Sequence, residues 1–300
     1  IPPPPGNSRI SRSPSGITWN PFGRSTLPDF SRTAPGAPSS PPSRPRGALA
    51  IRSKVALTAY SNSPFVPTSI TCPNPPRVRP APPEPAELAA ALALTDWRKV
   101  AFTPAPTNAT LRLPTAGMRL DLGAAAKGYA VDFAWQRLAA AGHTNLLVDL
   151  GGNLRALGEA APGRGGWRTG VRNPFAPGIL ATFLLRGGEA VATSGNYERF
   201  VEINGARYAH IMDGRTGMPV TGMAGVTVTA PDALTADILS TTLFILGPQK
   251  GAALLRSRPG CEALWIPDTP SSLTLLATPG LAARLTPAGN TPYTLTTLHP

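Results

Sequence analysis

The sequence predicts an α+β fold, and three features point to it. Residues 124–142 and 234–247 are alanine- and leucine-rich helix patterns, each closed by a glycine. Between and after them lie short β-branched or aromatic runs separated by glycine-bearing turns, which read as strands. Residues 1–83 hold 20 of the 37 prolines, so most of that segment forms neither element, because proline lacks the amide donor and fixes φ.

Taken in order, residues 51–60 (IRSKVALTAY) are the one stretch before residue 83 able to form a helix or strand. Residues 84–94 (EPAELAAALAL) predict a helix with proline near its start. KVAFT (99–103) and ATLRLP (109–114) read as strands, and MRLDL (118–122) as a short strand running into Gly123. After the helix at 124–142 come a β-rich segment at 144–158 broken by Gly151-Gly152, and strands at 167–174, 179–188 and 189–195. RFVEINGARYAHIMD (199–213) is a hairpin turning at Asn204-Gly205, and 224–231 is a further strand. The helix at 234–247 ends at Gly247-Pro248, and the alternating pattern continues to about residue 280. This organisation predicts a poorly ordered Pro/Ser/Arg-rich segment at 1–83 and a folded domain at 84–290.

Length and composition suit a globular protein, with 42% hydrophobic residues and a mean hydropathy of −0.03. Of the net charge of +12, residues 1–82 carry ten Lys/Arg against the single acid Asp29. Those arginines are scattered among prolines without aromatic interleaving, so the arm reads as a solvated extension and no nucleic-acid partner is expected. Cys72 and Cys261 match no metal or redox spacing, and one disulfide between them is possible. No stretch of 18 apolar residues predicts a membrane span, and no basic-then-apolar export signal is visible at the start.

Four motifs carry chemistry. In DLGAAAKG (121–128) a chain turning at a glycine into a helix offers unpaired amides and a positive dipole end to a phosphate. Lys127 adds a cation and Asp121 an acceptor, although locally they equally suit a cap and a surface lysine. In ADILST (236–241), Asp237 and Thr241 stand four apart on one helix face, an oxygen pair suited to magnesium, or otherwise a polar stripe. In HIMDGRTG (210–217) a strand end delivers His210, Asp213 and Arg215 around a turn, where the histidine is either structural or a base for a hydroxyl. Finally, TSGNYERF (193–200) and Gly151-Gly152-Asn153 are turns able to line a nucleotide pocket.

In this order, LDLGAAAKGYAVD, VDLGGNLRALG, WRTGVRNP, VATSGNYERF, YAHIMDGRTGMPV and VTVTAPDALTADILSTTLFILG resemble the ApbE family of FAD:protein FMN transferases over about residues 117–248. The resemblance implies a T-fold-related architecture of two interleaved lobes. It implies that Asp121 and Lys127 contact FAD beside its pyrophosphate, and that Phe65 and Ile211 belong to the FAD-binding set. It implies a magnesium ion held by the Ala124 carbonyl, Asp237 and Thr241, with His210 as base for the acceptor hydroxyl. The implied reaction cleaves FAD, releases AMP and leaves FMN phosphoester-linked to a threonine or serine of an acceptor flavoprotein. The implied location is the cell envelope or periplasm, with any membrane association made through the partner or an anchor. FAD pyrophosphatase activity and flavin binding without turnover are the alternatives. Gly214 stands where the family usually has proline, Asn196 where it often has aspartate, and Val66 replaces the aspartate of a Phe-Asp-Pro-Thr motif beginning at Phe65.

Overall fold

A computed structural model describes residues 83–299 except 106–107, 198–199 and 204–205, together with the backbone alone of 12–13, 16–18 and 49–53. The rest of the proline-rich segment, including Phe65, Val66 and Cys72, lies outside the described residues. Contacts divide the chain into two units that interleave in sequence, one of residues 1–45 and 83–120, the other of 46–82 and 121–300. The division within the expected 84–290 domain thus falls between Leu120 and Asp121.

Strands β1 (Arg12–Ser13), β2 (Gly16–Thr18) and β3 (Leu49–Ser53) come first in the chain. The first unit holds β1 and β2, helix α1 (Pro85–Ala93) and strands β4 (Ala101–Thr103) and β5 (Thr110–Arg112), in a sheet ordered β1-β2-β5-β4. Helix α1 starts with Pro85, whose missing amide costs nothing in a first turn.

The second unit contains α2 (Ala126–Ala140), β6 (Leu146–Leu150), β7 (Asn153–Leu157), β8 (Trp167–Arg172), β9 (Ile179–Leu185) and β10 (Ala190–Gly195). It continues with β11 (Phe200–Ile203), β12 (Ala206–Ala209), β13 (Met212–Asp213), β14 (Met218–Pro219), β15 (Met223–Ala230) and α3 (Ala233–Leu255). It ends with β16 (Glu262–Pro267), β17 (Thr274–Ala277), α4 (Pro279–Ala282), β18 (Thr286–Pro287) and β19 (Thr294–Thr297). The main sheet has the order β19-β17-β16-β15-β10-β7-β6-β3, and a second sheet the order β18-β9-β8.

Helices α2 and α3 cover one face of the main sheet, forming a core of Val131, Leu146, Val148, Val226, Val228, Leu239 and Trp265. The β8–β9 sheet closes the other face with Trp167, Phe183 and Leu185 against Leu147, Val191 and Leu264. Strand alternation feeds both cores, since Leu146 and Val148 face one and Leu147 the other. All eight residues of β15 are buried, because this central strand is covered on both faces. Its buried polar side chains are partnered: the Thr227 hydroxyl lies 2.9 Å from that of Thr193, and Thr229 accepts from Arg284.

The helices, hairpins and strands expected between residues 124 and 267 are present, and the fold is α+β. Three details differ from expectation. Residues 118–122 form no strand, because the chain turns at once toward α2: Asp121 Oδ1 accepts the Gly123 amide at 2.6 Å, and the Leu122 carbonyl accepts those of Ala125 and Ala126. The pattern also runs past residue 280, with β19 pairing parallel to β17 through exposed threonines too weakly patterned to show in sequence. Third, α3 continues beyond Gly247-Pro248, though the expected break is real. Gly247 has φ 74 and ψ 177, a conformation essentially reserved for glycine, and it separates two helical segments. By length and composition α3 is apolar enough to cross a membrane, but here it packs on α2, β10 and β15. Cys261 is buried and free, and Cys72, its possible partner, lies outside the described residues.

Candidate functional site

Helix α2 begins with an irregularity that its sequence explains. Its N-cap is Ala125, which has no side chain able to accept an amide. Among the described residues the amides of Ala124 and Lys127 have no hydrogen-bond partner, and the Lys127 ammonium is unpaired. These donors and the helix dipole make the start of α2 electropositive.

The Gly128 amide would ordinarily bond the Ala124 carbonyl four residues earlier. Instead it donates to Asp237 Oδ2 at 2.8 Å, across 109 residues of chain. The Ala124 carbonyl is thereby left without a partner among the described residues. The approach requires glycine, because a Cβ at Gly128 would overlap the Ala233 carbonyl oxygen and stand 2.8 Å from the Asp237 Cβ.

A second cross-link lies one turn further along α2. The buried Asp132 carboxylate accepts the Ala233 and Leu234 amides, both at 2.9 Å, satisfying two orphan donors at the start of α3. Arg155 of β7 donates to the same carboxylate at 2.7 Å and lies 4.1 Å over the Trp135 ring. Asp232 supplies the ordinary cap, accepting the Thr235 amide at 2.7 Å. The first turns of α2 and α3 are therefore held as one body.

On α3, Asp237 is 3% exposed, and its Oδ1 makes no hydrogen bond among the described residues. Thr241 follows one turn later, its hydroxyl 3.0 Å from Ser194 Oγ at the end of β10. Ser194 Oγ is also 2.9 Å from Ser240 Oγ, which donates to the Asp237 carbonyl at 2.9 Å. A freed carbonyl, a half-used carboxylate and a hydroxyl are hard oxygen donors of the kind that hold magnesium. No cluster of three or more His, Cys, Asp or Glu able to hold a metal ion occurs among the described residues.

His210 directly follows β12 and is exposed, whereas its neighbour Ile211 is 6% exposed and packs in the same core as Leu239 of α3. Ile211 thus anchors the segment that presents His210. Asp213 accepts the Arg215 side chain at 2.6–3.1 Å, and this hydrogen bond lowers the Asp213 pKa below its ordinary value despite partial desolvation. On the opposite face of the sheet, Gly151 and Gly152 line a cavity of about 160 Å³ with Thr193, Thr227, Arg172 and Tyr197.

The structure sets Gly128, which follows Lys127 in the first turn of α2, against Asp237, and places Thr241 on the same helix as Asp237. Asp121 stands at the turn before α2, its Oδ1 already engaged by Gly123. Gly128, Asp132, Arg155 and Ser194 lie within the motifs read from the sequence, but that reading gave none of them a role of its own. A glycine in the first turns of an otherwise alanine-rich helix is a costly choice that signals close packing, and so could have pointed to Gly128.

The ApbE family model matches residues 57–265, more than half of the chain. The chain belongs to the ApbE family. The matched region includes the DLGAAAKG, HIMDGRTG and ADILST motifs. A relative named FAD:protein FMN transferase from Treponema pallidum (strain Nichols) is 43% identical over 203 residues, covering 63% of this chain and 56% of that protein. One of the same name from Klebsiella pneumoniae (strain 342) is 40% identical over 186 residues, covering 61% and 56%. The crystal structure of the apo form of the Pseudomonas stutzeri flavinyl transferase ApbE aligns with a TM-score of 0.57 at 33% identity, covering 68% of this chain and 62% of that one. The chain spans about half the length of the curated relatives it matches.

Proposed function

We propose that this ApbE-family chain is a magnesium-dependent FAD:protein FMN transferase acting on a threonine or serine of an acceptor flavoprotein. The observation that carries the reading is the Gly128–Asp237 hydrogen bond, which joins an electropositive helix start to a carboxylate and leaves the Ala124 carbonyl unpaired among the described residues. FAD carries a pyrophosphate, and a start of this kind suits one. Family membership and the names of the two relatives support the same activity.

The Ala124 carbonyl, Asp237 Oδ1 and the Thr241 hydroxyl would hold the magnesium ion. Bound there, the ion supplies charge neutralisation at the phosphates during phosphoryl transfer. Lys127 and the unpaired amides of Ala124 and Lys127 would hold pyrophosphate oxygens, and Asp121 would accept from a ribose or ring group. The acceptor hydroxyl oxygen bonds the FMN-side phosphorus while the bond from that phosphorus to the bridging oxygen breaks. AMP leaves with the bridging oxygen, and His210 takes the hydroxyl proton. The Asp213–Arg215 pair braces the turn that follows His210. Action in the cell envelope is part of the same proposal and is tested by cell fractionation.

The deciding experiment incubates the protein with FAD, magnesium and a candidate acceptor, and weighs the acceptor by mass spectrometry. An adduct of FMN mass that disappears with Asp237→Ala is expected. His210→Ala should retain FAD yet yield no adduct. FMN and AMP formed without any adduct would make the chain a pyrophosphatase, and FAD retained without AMP release would make it a flavin-binding protein.

A further inference from the structure

The hydroxyls of Ser194, Ser240 and Thr241 form a chain whose proton direction is fixed by what lies at its buried end. A serine or threonine hydroxyl has one proton to donate and two lone pairs to accept with. Ser240 Oγ stands 2.9 Å from the Asp237 main-chain carbonyl, which can only accept, so the Ser240 proton is spent there. At its 2.9 Å contact with Ser194, Ser240 must therefore accept and Ser194 donate. The Ser194 proton is then spent too, so at the 3.0 Å contact with Thr241 it is Thr241 that donates. Ser240 is fully buried, so water does not compete at the closed end of this chain.

The proton of Thr241 consequently points toward β10, and its lone pairs are turned away from Ser194. A reversed chain would aim that proton elsewhere, including at any cation beside Asp237, where a bound positive charge would repel it. We propose that Ser194 is a positioning residue that sets the polarity of the Thr241 hydroxyl, so that only lone pairs face the divalent cation held with Asp237. This rests on the magnesium reading above. Ser194 touches neither the cation nor the substrate, and acts through Thr241. Ser240 acts one step further back, as the sink that keeps Ser194 donating away from Thr241.

The test is the affinity of the full chain for Mn²⁺ alone, measured by electron paramagnetic resonance titration without FAD or turnover. Ser194→Ala is expected to weaken binding about tenfold, the worth of one hydrogen bond. Ser194→Thr, which keeps the hydroxyl, should retain the wild-type affinity. Ser240→Ala should also weaken binding, since it frees the Ser194 proton to turn toward Thr241. In a Thr241→Val background, Ser194→Ala should cost nothing more, whereas a general packing role would weaken binding equally in both backgrounds. Equal losses in the two backgrounds would overturn the proposal. So would wild-type affinity in Ser194→Ala alongside a clear loss in Asp237→Ala, with the metal reading left standing. Unchanged affinity in Asp237→Ala would overturn the metal reading itself, and this inference with it.

Discussion

Replacing Gly128 by alanine probes the contact on which the candidate site is built. The new Cβ would overlap the Ala233 carbonyl oxygen, and would lie 2.7 Å from that carbonyl's carbon and 2.8 Å from the Asp237 Cβ. Two of these three atoms are backbone, so relief requires α2 to move away from α3. Overpacking of this kind costs roughly 1–3 kcal/mol. Separating the helices also stretches the 2.8 Å bond from the Gly128 amide to the Asp237 carboxylate, and a hydrogen bond to a charged group contributes about 1.5–3 kcal/mol. Alanine's better helix propensity returns about 1 kcal/mol. The expected net loss is therefore roughly 1.5–5 kcal/mol, a large share of the 5–15 kcal/mol typical of a whole domain. Urea denaturation followed by tryptophan fluorescence reads it, because Trp135 lies in α2 and Trp265 packs beneath α3, donating to the Leu243 carbonyl at 3.3 Å. Gly170→Ala is the reference: there the Cβ meets only side-chain atoms of the exposed Ile179, the nearest at 3.1 Å, and a surface change of that kind costs about 0.5 kcal/mol. Equal stabilities for the two variants, within about 0.5 kcal/mol, would refute the view that α2 and α3 are locked at Gly128.

Asp132→Asn should destabilise the second unit by about 3 kcal/mol in the same denaturation assay, because it leaves the largely buried Arg155 guanidinium without its anionic partner. Gly247→Ala should cost about 1–3 kcal/mol by urea titration, since φ 74 with ψ 177 strains any side chain even though nothing crowds the position. The hydrogen bond from Arg215 depresses the Asp213 pKa in the folded protein, so its stabilisation of the 213–217 turn is present above the ordinary aspartate range near about 3.9. That stabilisation is lost as pH falls through the lower folded value, and amide exchange of the turn should rise there. In Arg215→Ala the Asp213 titration followed by NMR should return to the ordinary range, and an unmoved midpoint would show that the pair is not operating.

What was legible in the sequence is what local chemistry specifies. Alanine and leucine content marked α2 and α3, and Gly247-Pro248 marked the break in α3, because glycine and proline act through their own backbone. The four-residue spacing of Asp237 and Thr241 placed both on one helical face, since spacing alone determines that. MRLDL misled because its five residues alternate like a strand, while one side-chain hydrogen bond, from the Gly123 amide to Asp121, turns the chain instead. The cross-links at Gly128, Asp132 and Ser194 were illegible for a different reason. Each joins residues at least 46 positions apart, and no local pattern records such a pairing.

These long-range bonds also decide where α2 starts, and so what the site contains. Extending α2 backward so that Gly128 bonded Ala124 would add one ordinary hydrogen bond, worth about 1 kcal/mol. The observed arrangement gives that amide to a carboxylate instead, worth about 1.5–3 kcal/mol. The exchange is favourable by itself, and its by-products are an unpaired carbonyl at Ala124 and a carboxylate at Asp237 with one oxygen still free among the described residues. The oxygen set proposed for the cation would thus arise from the rule that holds the helices together, with no separate strain. The coupling has a consequence for engineering the protein. A substitution that caps α2 where it now starts, serine at Ala125, would offer an acceptor to the unpaired Lys127 amide and gain about 1 kcal/mol of helix stability, and on the proposed reading should weaken phosphate binding by withdrawing that donor.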